Sequence, residues 1–178
     1  MSVYTKKGDK GTTKVFDKKT GELTSIRKDS CHIKTIGAVD ELNAYLGIIS
    51  SLSSNIKIIN IIKVIQGNLF TINSILAGSK LNFTDKETRD LENDIDVWES
   101  KLPVQTNFIY YGGSEISSHL FYARALARCA ERELTEFSKE VEIPEQIQKY
   151  INRLSDYLFV MARFINFKNK VKEKFWIT

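Results

Sequence analysis

Proline occurs only twice in the 178 residues, at Pro103 and Pro144, and this scarcity most constrains what the chain can fold into. Proline removes a backbone donor and clashes with the preceding helical turn, so a proline-free first hundred residues suits long helices. The apolar pattern predicts five segments. The first runs from Cys31 to about Ser51 and the second from Ile58 to about Ala77. Thr84-Asp85-Lys86-Glu87 is a capping box that opens a third, ending at about Lys101. Ser114 caps a fourth that continues to about Lys139, and Pro144 suits the first turn of a fifth that ends near Lys168. The first 30 residues lack a sustained apolar period and read as an extended arm or loops. The expected fold class is all-α, a single domain over 1–178 with an arm (1–30) and a five-helix bundle (31–170).

On the fourth segment Ile116, Leu120, Ala123, Ala127, Ala130, Leu134 and Phe137 fall in one stripe about 100° wide. Three of these are alanines, which let a neighbouring helix come close. The fifth segment carries a similar stripe of Ile147, Ile151, Leu154, Leu158, Met161 and Ile165, so the two should pack as antiparallel neighbours.

Composition narrows the function classes. Hydrophobic residues at 42% and charged residues at 27% fit a globular domain and exclude a disordered tail. The net charge of +4 does not by itself call for nucleic acid, and no basic strip interleaved with aromatics appears. Cys31 and Cys129 form neither a disulfide framework nor a metal-spaced pair, which points to a reducing compartment. The longest charge-free stretches, Leu42 to Ile56 and Val64 to Ser79, are shorter than the ~20 residues of a membrane span. The N-terminus offers no apolar signal region. A soluble cytoplasmic protein, without membrane or nucleic-acid partners, is the expectation.

Two features suggest chemistry. Arg124, Arg128 and Arg132 follow one another four residues apart, with Glu131 beside them. They are either a solvated face with local Arg–Glu pairs or a rigid guanidinium ladder for phosphates, since each planar fork holds an oxyanion bidentately. The run Thr5-Lys6-Lys7-Gly8-Asp9-Lys10-Gly11-Thr12-Thr13-Lys14 is either a polar turn or a phosphate-binding arm in which two glycines let the backbone approach a ligand. It lacks Walker A spacing. Lys28 adds one more cation. Asp40 and Glu41 point about 100° apart on a helix and so cannot act as one dyad; pairing of at least one with an arginine is expected. Asn152, Asp156 and Arg163 are placed on the face opposite the fifth segment's stripe, as a solvated face by default. His32 and His119 are isolated and read as packed residues. Residue patterns alone stop at a soluble helical bundle that could bind a phosphate-rich anion.

Three blocks, in this order, add more. Tyr4 to Thr13, Gly37-Ala38-Val39-Asp40-Glu41-Leu42-Asn43, and Arg128-Cys129-Ala130-Glu131-Arg132 followed by Asn152-Arg153-Leu154-Ser155-Asp156-Tyr157-Leu158-Phe159 resemble the ATP:cob(I)alamin adenosyltransferases of the propanediol-utilisation type. The resemblance covers Tyr4 to Trp176. It implies a homotrimer with a site at each subunit interface, ATP and cobalamin as substrates, and Mg²⁺. Its further implied partners are a flavoprotein reductase and an adenosylcobalamin-dependent enzyme. By the same resemblance Thr5, Lys6, Lys7, Gly8, Thr13, Lys14 and Lys28 bind ATP from the arm, and Arg128, Glu131, Arg132 and Asn152 from the helices. Asp40 and Arg124 match an ion pair across the interface, and Phe108 the aromatic that displaces cobalamin's lower axial ligand.

Two positions depart from that pattern. Cys129 stands where the family commonly has a second arginine, and Tyr110-Tyr111 where it usually has Leu-Pro. The first leaves room for an alternative on the same fold, a non-catalytic cobalamin chaperone or ATP-binding sensor.

Overall fold

The computed structural model of the chain describes residues 6, 8–17 and 20–177; Thr5 and Lys7 lie outside them. Among the described residues there are five helices: α1 Cys31–Leu52, α2 Ile56–Leu76, α3 Asp85–Glu99, α4 Glu115–Phe137 and α5 Glu145–Lys168. Each boundary lies within about two residues of its expectation, because the punctuation is local. Ser30, Asn55 and Ser114 accept from backbone N–H groups of their first turns, and Thr84 with Glu87 forms the reciprocal capping box. Pro144 is the N-cap of α5, one residue before the first helical position.

The N-terminal segment differs from a plain arm or loop. Strands β1, Thr12–Asp17, and β2, Glu22–Arg27, pair antiparallel with Thr12 opposite Arg27 and Asp17 opposite Glu22. The alternation is too weak to read in the sequence because Phe16 and Leu23 are exposed. The hairpin is seated on the end of α2, where Phe16 N donates to Ala77 O at 3.4 Å. Gly78 makes that approach possible: its φ is +102°, and a Cβ there would lie 2.3 Å from Phe16 O.

Polar side chains show how the helices run. Thr35 Oγ1 donates to Glu133 O and Tyr45 OH bonds His119 Nδ1 at 2.6 Å, so α1 is antiparallel to α4. Gln66 and Asn73 of α2 donate to the Asn43 and Ile36 carbonyls, setting α2 antiparallel to α1. Ser114 meets Asn166 while Glu131 meets Asn152, the antiparallel α4–α5 pair expected from the alanine stripe. Ala123, Ala127 and Ala130 are fully buried there. α3 runs parallel to α5, through Glu92–Arg153, Asp94–Tyr157 and Trp98–Phe164.

α2 is long and apolar enough by composition to cross a membrane. Its row of Ile62, Ile65, Leu69 and Ile72 is part of the bundle core. Both histidines are packed: His32 stacks on Phe137 with centroids 4.5 Å apart and bonds the Leu76 carbonyl, and His119 meets Tyr45.

Candidate active site

A pocket of about 680 Å³ opens between α3, α4, α5 and the loop joining α3 to α4. Phe108 and Tyr111 reach it from the loop, Arg124 from α4, Arg153 and Phe159 from α5, and Glu92 and Asp96 from α3. Phe108 is 75% exposed, its ring edge-on to Trp176. Arg124 is held among aromatics. Its Nη1 donates to Tyr111 OH at 3.0 Å, and its guanidinium carbon lies 5.3 Å from the Tyr111 centroid and 5.5 Å from that of Phe159. Tyr111 in turn stacks on Phe121. Tyr111 thus helps fix Arg124.

One and two turns further along α4 stand Arg128 and Arg132, exposed and without an ion pair among the described residues. Among the described residues the local Arg–Glu pairing is absent from this row. Glu131 instead accepts from Asn152 Nδ2 at 2.6 Å, a bond that ties α4 to α5 and leaves both guanidinium groups open to an anion. Cys129 is half-buried with a free thiol. Asp156 is not free on α5: it accepts from Arg153 Nη1 at 2.6 Å, while Arg153 Nε donates to Glu92.

The hairpin forms a separate cationic group. Gly11 N donates to Gly8 O in a turn, and Lys28 N donates to Gly11 O. The Lys28 ammonium lies so close to Gly8 that a Cβ there would sit 3.2 Å from Nζ. Thr13 is half-buried, and Lys14 and Lys28 are exposed. No hydrogen bond or ion pair among the described residues links Gly8, Thr13, Lys14 or Lys28 to Arg128, Glu131 or Arg132. Asp40 and Glu41 are exposed on α1, and among the described residues neither pairs with an arginine of its own chain.

Arg163 corrects another expectation. The sequence predicts a solvated face of α5 for it, but it is 4% exposed and paired with Glu173 at 2.7 Å. α5 buries a second row, Tyr150, Tyr157 and Val160, besides its first stripe. Burial pushes both phenols well above their usual range, for Tyr157 with the Asp94 carboxylate as a further cause.

The sequence profile of the cobalamin adenosyltransferases matches residues 3–165. The chain is 36% identical over 170 residues to corrinoid adenosyltransferase PduO of Citrobacter freundii, an alignment covering 92% of the chain and 49% of that protein. It therefore spans about half the length of that relative. It is 34% identical over 179 residues to the corrinoid adenosyltransferase of Bacillus subtilis, covering 96% of the chain and 90% of the relative. A variant PduO-type ATP:corrinoid adenosyltransferase from Lactobacillus reuteri, complexed with cobalamin and ATP, superposes with a TM-score of 0.92 at 31% identity, over 99% of this chain and 100% of that one.

Proposed function

The chain belongs to the cobalamin adenosyltransferase family, and from that premise we propose that it transfers the 5′-deoxyadenosyl group of ATP to the cobalt of cob(I)alamin. The products are adenosylcobalamin and triphosphate. The observation that carries this reading is one α4 face bearing Arg124 in the Phe108 pocket and, within two turns, two unpaired guanidinium groups.

The cobalt(I) electron pair attacks the ribose 5′-carbon and forms the Co–C bond. The C5′–O bond breaks, and triphosphate departs with its electron pair. The nucleophile is supplied by the substrate, so the protein's work is positioning and charge stabilisation. Arg128 and Arg132 face the growing negative charge from α4, and Lys14 and Lys28 supply further cations from the hairpin. The Glu131–Asn152 bond holds the spacing of the two helices beside them. Phe108 presents an apolar, non-ligating ring, suited to occupying the lower axial face of cobalamin. A four-coordinate cobalt is easier to reduce to cobalt(I).

Among the described residues no bond links Lys14 or Lys28 to the α4 arginines, and Asp40 makes no ion pair within its own chain. Both facts support a homotrimer in which the hairpin of one subunit, and the Asp40–Arg124 pair, complete the site of the next. Exposed Ile48, Leu52, Val64 and Phe70 on α1 and α2 leave apolar surface for such an assembly. Among the described residues no cluster of three His, Cys, Asp or Glu is placed to hold a metal. A protein-built Mg²⁺ cage therefore does not fit; the reading has Mg²⁺ arrive as the counter-ion of the ATP phosphates, with no step routed through it. Cob(I)alamin must come from a reductase, a flavoprotein in this reading, and the product must pass to an adenosylcobalamin-dependent enzyme in a reducing cytoplasm.

The test is product identification: after anaerobic incubation with ATP and reduced cobalamin, mass spectrometry should find adenosylcobalamin. Its absence, with both ligands bound, would contradict the reading. Sedimentation at the mass of three chains would support the shared site, and a monomer would oppose it.

A further inference from the structure

The loop that carries Phe108 is pinned to α5 at both ends. At its start, Arg163 Nη2 donates to the Pro103 carbonyl at 3.1 Å. At its end, Asn166 Nδ2 donates to Gly112 O at 2.8 Å, and Asn166 Oδ1 accepts from Ser114 N at 3.0 Å. The chain's C-terminal segment runs along the middle. Tyr110 N donates to Lys174 O and Trp176 N to Phe108 O, each at 2.8 Å, and Ile109 bridges Phe175. The Trp176 ring stands edge-on to Phe108, centroids 6.4 Å apart.

That segment is anchored by the buried guanidinium. Arg163 Nε donates to Glu173 Oε1 at 2.7 Å and Nη2 to Glu173 Oε2 at 3.1 Å, a two-pronged pair beneath Phe159. Burying an ion pair costs desolvation that its attraction barely repays, so its presence is weak evidence for stability. Geometric definition is what it supplies. The planar fork accepts a carboxylate in one orientation, which fixes Glu173 and the register in which the next three residues lie along residues 108–110.

We propose that Arg163 and Glu173 form a latch that positions Phe108 against the lower face of cobalamin. The inference rests on the role given to Phe108 above. Arg163 and Glu173 are positioning residues that touch neither substrate.

The deciding variant is Glu173→Gln, which keeps the shape and removes the charge. In this variant ATP affinity should stay within about twofold of the parent, while turnover and the ATP-dependent fraction of four-coordinate cob(II)alamin, read by magnetic circular dichroism, each fall about tenfold. In a Phe108→Ala background the same change should have no further effect, since the latch acts through that ring. Multiplying losses in the double variant, equal loss of ATP affinity, or parent-like behaviour would each overturn the proposal. Should Glu173→Gln not fold, Trp176→Ala, at a half-exposed side chain, must give the same signature. Amide hydrogen exchange of the substrate-free protein separates failure of the latch from failure of the proposed activity. Glu173→Gln should speed exchange at Tyr110 and Trp176 while α1 and α4 stay protected. Unchanged exchange at those two amides removes the latch, whatever the protein catalyses.

Discussion

Glu131 accepts a hydrogen bond from Asn152 across 2.6 Å, so the carboxylate three residues beyond Arg128 is engaged by a neutral amide rather than by a guanidinium. This arrangement leaves Arg128 and Arg132 without an acidic partner among the described residues, which is what the proposed anion site requires. Had Glu131 paired with Arg128 or Arg132, an incoming phosphate would have had to displace it.

Replacing Arg128 by alanine should raise the ATP dissociation constant about ten- to hundredfold, the loss of a charge-assisted hydrogen bond worth about 1.5–3 kcal/mol. The side chain is exposed and unpaired, so the thermal midpoint should not move. Calorimetric titration with ATP measures this, and unchanged affinity would remove Arg128 from the site.

Phe108→Ala should lower the rate of adenosylation at least about tenfold while leaving ATP binding alone, because the ring is assigned to the cobalamin face only. Its high exposure also predicts little change in stability. Parallel loss of ATP affinity would contradict the separation of roles.

Gly78→Ala should detach the hairpin from the bundle. The new Cβ would meet Phe16 O at 2.3 Å, and the positive φ adds strain on the order of 1–3 kcal/mol. Weaker ATP binding with the helical circular dichroism retained is the expected outcome. Full ATP affinity would show that the seat of the hairpin does not matter for the nucleotide.

The buried tyrosines predict an alkaline limb of instability. Tyr157 donates to Asp94 and Tyr150 accepts from Asn68, and burial raises both phenols above their ordinary value. A phenol raised in the folded state contributes stability that is complete below the unfolded value. That stability is lost as pH climbs from about 10 towards the folded value, because only the unfolded chain releases the proton. Denaturant melts should therefore fall steadily above pH about 10, and Tyr157→Phe should flatten the fall. An equally steep fall in the variant would refute the assignment.

The bundle was legible in the sequence where signals are local. Thr84 with Glu87, Ser114 and the row of Ala123, Ala127 and Ala130 each fix a boundary or a packing face within a few residues of themselves. Arg124 stands out by its four-residue spacing from Arg128 and Arg132 and Phe108 only through the family resemblance, and the structure places the two in one pocket. What escaped depends on distant chain segments. Arg163 looks like a polar residue opposite an apolar stripe until Glu173 folds back on it and the Pro103 carbonyl accepts from it. The only available hint was that Tyr150, Tyr157 and Val160 give α5 a second apolar row. The hairpin escaped because exposed Phe16 and Leu23 mask the alternation.

Adenosyl transfer itself is tested most directly by following the visible spectrum anaerobically while chemically reduced cob(I)alamin is mixed with Mg²⁺, ATP and the purified protein. The account predicts conversion to a light-sensitive alkylcobalamin that requires both ATP and protein, with one triphosphate released for each Co–C bond formed. Binding of ATP and cobalamin with no such conversion would contradict it and leave a cobalamin chaperone or ATP sensor on this fold.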